Sequence, residues 1–218
     1  KKDMGGAAIV IGLAHMIIAR QLPVQLRVLI AAVENSIDGM AMRPGDVIST
    51  RAGLTVEIGN TDAEGRVVMC ELLAEADAES PDLLVDVATL TVGARQALGP
   101  DVGAYFASRD ATANAFQQAA SEVSDPVWRL PLHAAYRKRI DSEVADLVNI
   151  ATNNPPGAIN AALFLADFVS SNRDWLHLDV YGWNEAARPG RPAGGEATGM
   201  RALMAYLTAR YGEGCEHE

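Results

Sequence analysis

The sequence predicts an α/β fold: a mixed, largely parallel β-sheet sandwiched between helices in three layers. Three observations predict it. Short apolar runs bounded by turn residues, at 83–90 and 175–180, alternate with longer helical stretches at 64–76 and 158–169. The chain of 218 residues is long enough for one domain with a sizeable buried core. Hydrophobic residues make up 49% and charged residues 21%, the balance of a globular rather than a disordered chain.

The elements follow in order. Gly5 and Gly6 open a helix predicted over 5–20, which Pro23 closes off. Ile9, Ile11, Leu13 and Ile17 make it apolar on all sides, so it is expected between layers, with His15 in the core or at an interface. Residues 24–33 form an apolar run broken by Gln25 and Arg27 and read as a strand. Arg43-Pro44-Gly45-Asp46 is turn chemistry, and 47–50 and 54–58 read as short strands about a turn at Ala52-Gly53. The helix over 64–76 carries Cys70 as a core thiol. A core strand at 83–90 follows Asp82, and a helix covers 111–123. An apolar helix spans 158–169, and a strand at 175–180 puts His177 in the core or at an interface. Residues 188–195 form a Pro/Gly-rich surface loop, and 196–211 a closing helix between Gly195 and Gly212. Trp128, Trp175 and Trp183 read as packing residues, His133 as a loop residue, and Cys215 and His217 as parts of an acidic tail.

Charge excludes some classes of function. A formal net charge of −10 opposes nucleic acid and anionic membrane surfaces, both of which need a basic face. No apolar run reads as a membrane span and no signal peptide opens the chain. No Gly-rich phosphate loop supports nucleotide binding. Two cysteines give no disulfide framework, which suits a reducing, cytoplasmic compartment.

The chemistry concentrates in residues 60–66, NTDAEGR. Two carboxylates, an amide and a guanidinium stand within seven positions at a predicted strand end, where α/β sheets place ligands. In extended backbone Asp62 and Glu64 project to one side. Such a pair repels unless a cation or proton lies between them, and divalent metals accept these oxygens. Arg66 cannot ligate a metal but can hold an anion beside one. Taken bare, the same residues would also make an acidic helix cap.

The heptapeptide resembles the signature of the leucyl (cytosol) aminopeptidase family. Companion segments are similar in the same order: 3–8 (DMGGAA), 42–47 (MRPGDV), 86–91 (DVATLT), 127–132 (VWRLPL), 161–165 (AALFL) and 175–179 (WLHLD). The resemblance implies a metal-dependent aminopeptidase that removes N-terminal amino acids from peptides by way of a metal-bridged water. It implies two divalent ions, zinc or manganese, with magnesium a further candidate. It assigns Asp3, Asp62 and Glu64 as metal ligands, with Glu64 bridging. Arg66 would hold a bicarbonate-like anion that serves as general base, and Asn60, Thr89 and Leu90 would line the substrate site. It also implies a homohexamer, with contacts expected from 175–180 and the Pro/Gly loop, and the Asp62/Glu64 strand end facing the start of the Gly5-Gly6 helix.

A further bridging aspartate and two lysines are implied by the resemblance ahead of the DMGGAA segment, and Lys1 and Lys2 do not replace them. Residues 1–218 are therefore expected to be part of a single catalytic domain whose N-terminal segment is missing. Val92 stands where glycine is usual, Asn153-Asn154-Pro155-Pro156-Gly157 replaces a Gly-rich stretch, and Tyr181 stands where the side-chain pocket usually has a small residue. These departures leave a second reading, a non-catalytic homologue serving as a structural or binding subunit.

Overall fold

The computed structural model describes residues 1–151 and 157–212. The expectations for residues 153–156, Cys215 and His217 lie outside them.

The main sheet has four strands: β3 (Leu84–Ala88), β4 (Gly103–Ala107), β5 (Val127–Arg129) and β7 (Trp175–Asp179), in the order β3-β7-β4-β5. The β3/β7 and β4/β5 pairs are parallel and β4/β7 is antiparallel, so the sheet is mixed. A three-stranded sheet joins β1 (Val47–Ser49), β2 (Thr55–Glu57) and β6 (Leu147–Val148). A hairpin pairs β8 (Trp183–Asn184), ahead of the expected surface loop, with β9 (Gly194–Gly195) at that loop's end.

Helices cover both faces of the main sheet. On one side α1 (Gly5–Ala19), α4 (Asp110–Glu122) and α6 (Met200–Tyr211) bury Ile9, Leu13, Phe116, Leu203 and Tyr206 against Val87, Tyr105, Leu176 and Leu178. On the other, α2 (Glu64–Asp77) and α5 (Gly157–Ala166) place Val67, Cys70, Leu73 and Phe164 over Leu84 and Trp175. The short α3 (Val92–Leu98) packs Ala94 against Ala104 and Phe106. Side chains of β4 and β7 are buried on both faces, as the central strands of a covered sheet must be. This is the three-layer arrangement expected.

Four expectations are corrected. Residues 24–33 have strand-like composition but form no strand. No neighbouring strand supplies a ladder, and Leu26, Val28, Ile30 and Val33 remain exposed. α1 is buried on one stripe only, Gly6, Ile9, Leu13 and Ile17, at the spacing of a single helical face. Ile11 and Ile18 are exposed, as is His15. Residues Lys2–Ala19 are in fact long and apolar enough, by length and composition, to cross a membrane, but the stripe packs in the core. Trp128 is 61% exposed rather than packed, because β5 is an edge strand. The closing helix begins at Met200, since Gly199 at its N-cap sits at φ 82°, a left-handed conformation that breaks the chain direction.

Candidate active site

The C-terminal ends of β3 and β7 lie side by side, with Ala88 in register with Asp179. The residues singled out by sequence gather around this edge.

Asp3 lies on a 3₁₀ turn, Lys2–Met4, just ahead of α1. The Thr89 hydroxyl donates to its carboxylate at 2.8 Å. Two glycines make that approach possible. A Cβ on Gly6 would lie 2.2 Å from the Val87 carbonyl oxygen, and one on Gly5 would lie 3.1 Å from the Thr89 methyl. The start of α1 therefore rests backbone against backbone on the end of β3.

The NTDAEGR segment departs from the extended geometry expected of it. Thr61–Ala63 is a 3₁₀ turn and Glu64 is the first residue of α2. Asn60 caps the turn, accepting from the Asp62 amide at 2.9 Å. A local hydrogen bond of this kind favours a helical start over a strand. Asp62 is exposed and Glu64 half-buried. The segment is held from behind by Asn149, which is fully buried after β6. Its Oδ1 accepts from the Gly59 and Asn60 amides, and its Nδ2 donates to the Asn60 and Ala63 carbonyls. Sequence reasoning missed Asn149, since one asparagine in an apolar run carries no motif.

Arg66, one helical turn into α2, is buried. Burial lowers its guanidinium pKa to about 10 against the opposing pull of Asp179, so it remains a cation at neutral pH. Two atoms of this segment are buried without a hydrogen-bond partner: Glu64 Oε2 and Arg66 Nε. An unpaired acceptor and an unpaired donor two residues apart are costly unless a ligand satisfies them.

Leu90 joins the halves of the site. Its Cδ1 lies 3.2 Å from where a Cβ on Gly65 would stand, beside Glu64, while the adjacent Thr89 holds Asp3. Asp3 and Glu64 thus border the same strand end. The Leu90–Thr91 turn is fixed by Asp179, a second residue missed from sequence. Its Oδ1 accepts from both amides at 3.0 Å and its Oδ2 from the Thr91 hydroxyl at 2.5 Å. Thr91 Oγ1 accepts in turn from the Ala94 amide and caps α3. Burial pushes the Asp179 carboxyl above the usual carboxylate range, opposed by His177 and these hydrogen bonds.

The remaining candidates sort cleanly. His177 is fully buried, its Nδ1 2.5 Å from Asp86 Oδ1, while Trp175 Nε1 donates to Asp86 Oδ2 at 2.7 Å. This makes β7 a core strand and overturns the expectation that 175–180 supplies subunit contacts. Among the described residues, no three His, Cys, Asp or Glu side chains form a ready metal cluster. The fit to a metal is accordingly that of a partial ligand set. Glu64 brings an unpartnered buried oxygen, Asp3 an exposed carboxylate at the end of β3, and Asp62 an exposed carboxylate on the turn ahead of α2.

The fold and this arrangement define a layered α/β domain with polar groups collected near the ends of strands, the usual ligand position in such sheets. The chain belongs to the cytosol aminopeptidase family: residues 1–204 match the model of its catalytic domain. A probable cytosol aminopeptidase of Synechococcus sp. (strain CC9311) is 41% identical over 213 residues, covering 96% of this chain and 43% of that protein. One from Chlorobium luteolum is 43% identical over 209 residues, covering 95% and 41%. The crystal structure of cytosol aminopeptidase from Coxiella burnetii superposes with a TM-score of 0.93 at 55% identity, covering 96% of this chain and 46% of that one. The bottromycin maturation enzyme BotP, solved in complex with Mn, gives 0.90 at 40% identity, covering 95% and 47%. The chain therefore spans less than half the length of these relatives.

Proposed function

We propose that this chain is the site-bearing part of a metal-dependent aminopeptidase that hydrolyses N-terminal residues from peptides. The observation that carries the reading is the pair of buried, unpartnered atoms Glu64 Oε2 and Arg66 Nε at the start of α2. A carboxylate oxygen without a donor suits a cation, and a guanidinium N–H without an acceptor suits an anion.

Asp3, Asp62 and Glu64 are the ligands this chain offers to two divalent ions, zinc or manganese, with further ligands needed to complete both. The Mn-bound state of BotP supports a metal of this class. When bound, such ions polarise a peptide carbonyl and acidify a water. The chain's own residues do the positioning. Arg66 would hold a bicarbonate-like anion, which would supply a general base there. Asn60 and the Thr89–Leu90 strand end line the substrate, with the Leu90–Thr91 turn locked by Asp179. A homohexamer and a cytoplasmic location belong to the same reading. β7 is buried, so subunit contacts fall to other surfaces.

The test compares the 218-residue chain with a protein of its relatives' full length, both reconstituted with zinc or manganese, on leucine p-nitroanilide. The longer protein turns over and loses activity to a chelator and to Glu64→Gln. The short chain, with an incomplete ligand set, does not. Chelator-sensitive turnover by the short chain would show the site to be misassigned. A metal-loaded longer protein inert on a panel of dipeptides would favour the non-catalytic homologue. Sedimentation of the longer protein as a monomer would remove the hexamer.

A further inference from the structure

Beside Asp3 stand two cations that, among the described residues, have no ion-pair partner. The Lys2 ammonium lies 5.1 Å from the centroid of the Tyr181 ring, and the Arg95 guanidinium carbon lies 4.8 Å from it. The ring is held at its far end, where the Tyr181 hydroxyl donates to Glu185 at 2.9 Å. Gly182, the next residue, fixes the cluster against the site. A Cβ there would lie 3.4 Å from the Gly5 Cα and 3.2 Å from the Thr89 methyl, and Thr89 is the residue that holds Asp3.

Arg27, Arg51 and Arg188 are exposed arginines that each meet a carboxylate. Among the described residues no carboxylate lies within ion-pairing distance of Lys2 or Arg95. Both rest instead on one aromatic ring, which orients a cation without neutralising it. Two oriented, unneutralised cations beside the Asp3 strand end suit a carboxylate, because charge-assisted hydrogen bonds to a carboxylate are the strong ones.

We propose that Lys2 and Arg95, braced by Tyr181, form a subsite for a carboxylate of the peptide substrate. This deepens the aminopeptidase reading and rests on it. The carboxylate can come from an acidic first side chain or from the C-terminus of a dipeptide, and three near-isosteric substrates separate these sources. Glu-Gly-amide against Gln-Gly-amide reads the side chain. Gln-Gly against Gln-Gly-amide reads the C-terminus.

Initial rates are measured on the metal-loaded protein of full relative length. The carboxylate-bearing member of one pair is expected to be favoured about tenfold in kcat/KM, the scale of one charged hydrogen bond. That ratio should collapse toward one in Arg95→Gln and return in part in Arg95→Lys, with the change falling mainly on KM. Which pair shows the preference names the source. Equal kcat/KM for all three substrates would overturn the subsite and leave the aminopeptidase reading standing. A ratio unmoved by Arg95→Gln would overturn the assignment to this cluster. Failure to cleave any of the three would count against the aminopeptidase reading, and the subsite would then stand or fall on binding. Binding gives an independent check: Glu-Gly-amide, and not Gln-Gly-amide, should shift the Arg95 Nε–H resonance of the 218-residue chain if the side chain is the source, and Gln-Gly should if the C-terminus is. No shift with either would count against the subsite even where turnover is absent.

Discussion

Asp179 accepts from Thr91 twice, from the amide at 3.0 Å and from the hydroxyl at 2.5 Å, while the same carboxylate faces the buried Arg66. One buried carboxylate thus sets the backbone of the Leu90–Thr91 turn and raises the pKa of Arg66 against the effect of burial.

Asp179→Ala removes an acceptor from three donors and the countercharge from Arg66. Breaking a buried charged arrangement of this kind should cost about 3 kcal/mol of stability, measured by urea unfolding. Asp179→Asn keeps an oxygen for the amides and should cost less. In both variants, hydrogen exchange in a peptide spanning 89–92 should quicken. Unchanged exchange there would show that the turn holds itself.

Gly6→Ala drives a methyl to 2.2 Å from the Val87 carbonyl oxygen, backbone that cannot yield without moving α1 off β3. The overpacking penalty is about 1–3 kcal/mol. Gly39→Ala, where a Cβ meets nothing within 4 Å, is the matched control, and its unfolding midpoint should stay near that of the parent. Equal midpoints for the two variants would contradict the close approach.

His177 supplies a pH dependence. Burial alone would lower its pKa, but the Asp86 carboxylate, with Asp179, holds it above the ordinary 6.5. The folded state then binds a proton more tightly than the unfolded chain. The stabilisation is complete below the unfolded value and is lost as pH rises through the folded one. The urea midpoint should therefore decline as pH rises above about 6.5, and Asp86→Asn should flatten that decline. A midpoint that rises over this range would reverse the assignment.

Cys70 is fully buried, and burial, helped by Glu71, pushes its thiol up to about 12. It should resist iodoacetamide in the native protein and react on unfolding, as peptide mapping would read. Native labelling of Cys70 would mean that α2 opens from the sheet.

The sequence carried the strand–helix alternation well where runs were long. Helices at 64–76 and 111–123 lie within a residue or so of α2 and α4. It missed α3 and β4, although the Thr91 cap and the Gly99-Pro100 break mark their edges. It misjudged 24–33 because apolar alternation records a capacity to pair, and the partner is not local. Within the candidate site, the charged residues of 60–66 stand out through their motif. Asn149 and Asp179 do not, since their roles come from contacts with residues about ninety positions away. The geometry of 60–66 was hidden for a subtler reason. The Asn60 cap turns a strand end into a helix start, so Asp62 and Glu64 sit on a turn instead of sharing one side of a strand.

The bonds that shape the candidate site have a consequence for when it comes into being. Thr89 meets Asp3 across 86 residues, Leu90 meets Asp179 across 89, and Asn149 meets Asn60 across 89. Contacts so distant along the chain require large loops to close before they return any stabilisation, so such topologies fold slowly. Helices such as α4 can form from neighbouring residues, whereas the candidate site waits until segments about ninety residues apart have docked. Substitutions within it should then act mainly by hastening unfolding while refolding keeps its pace.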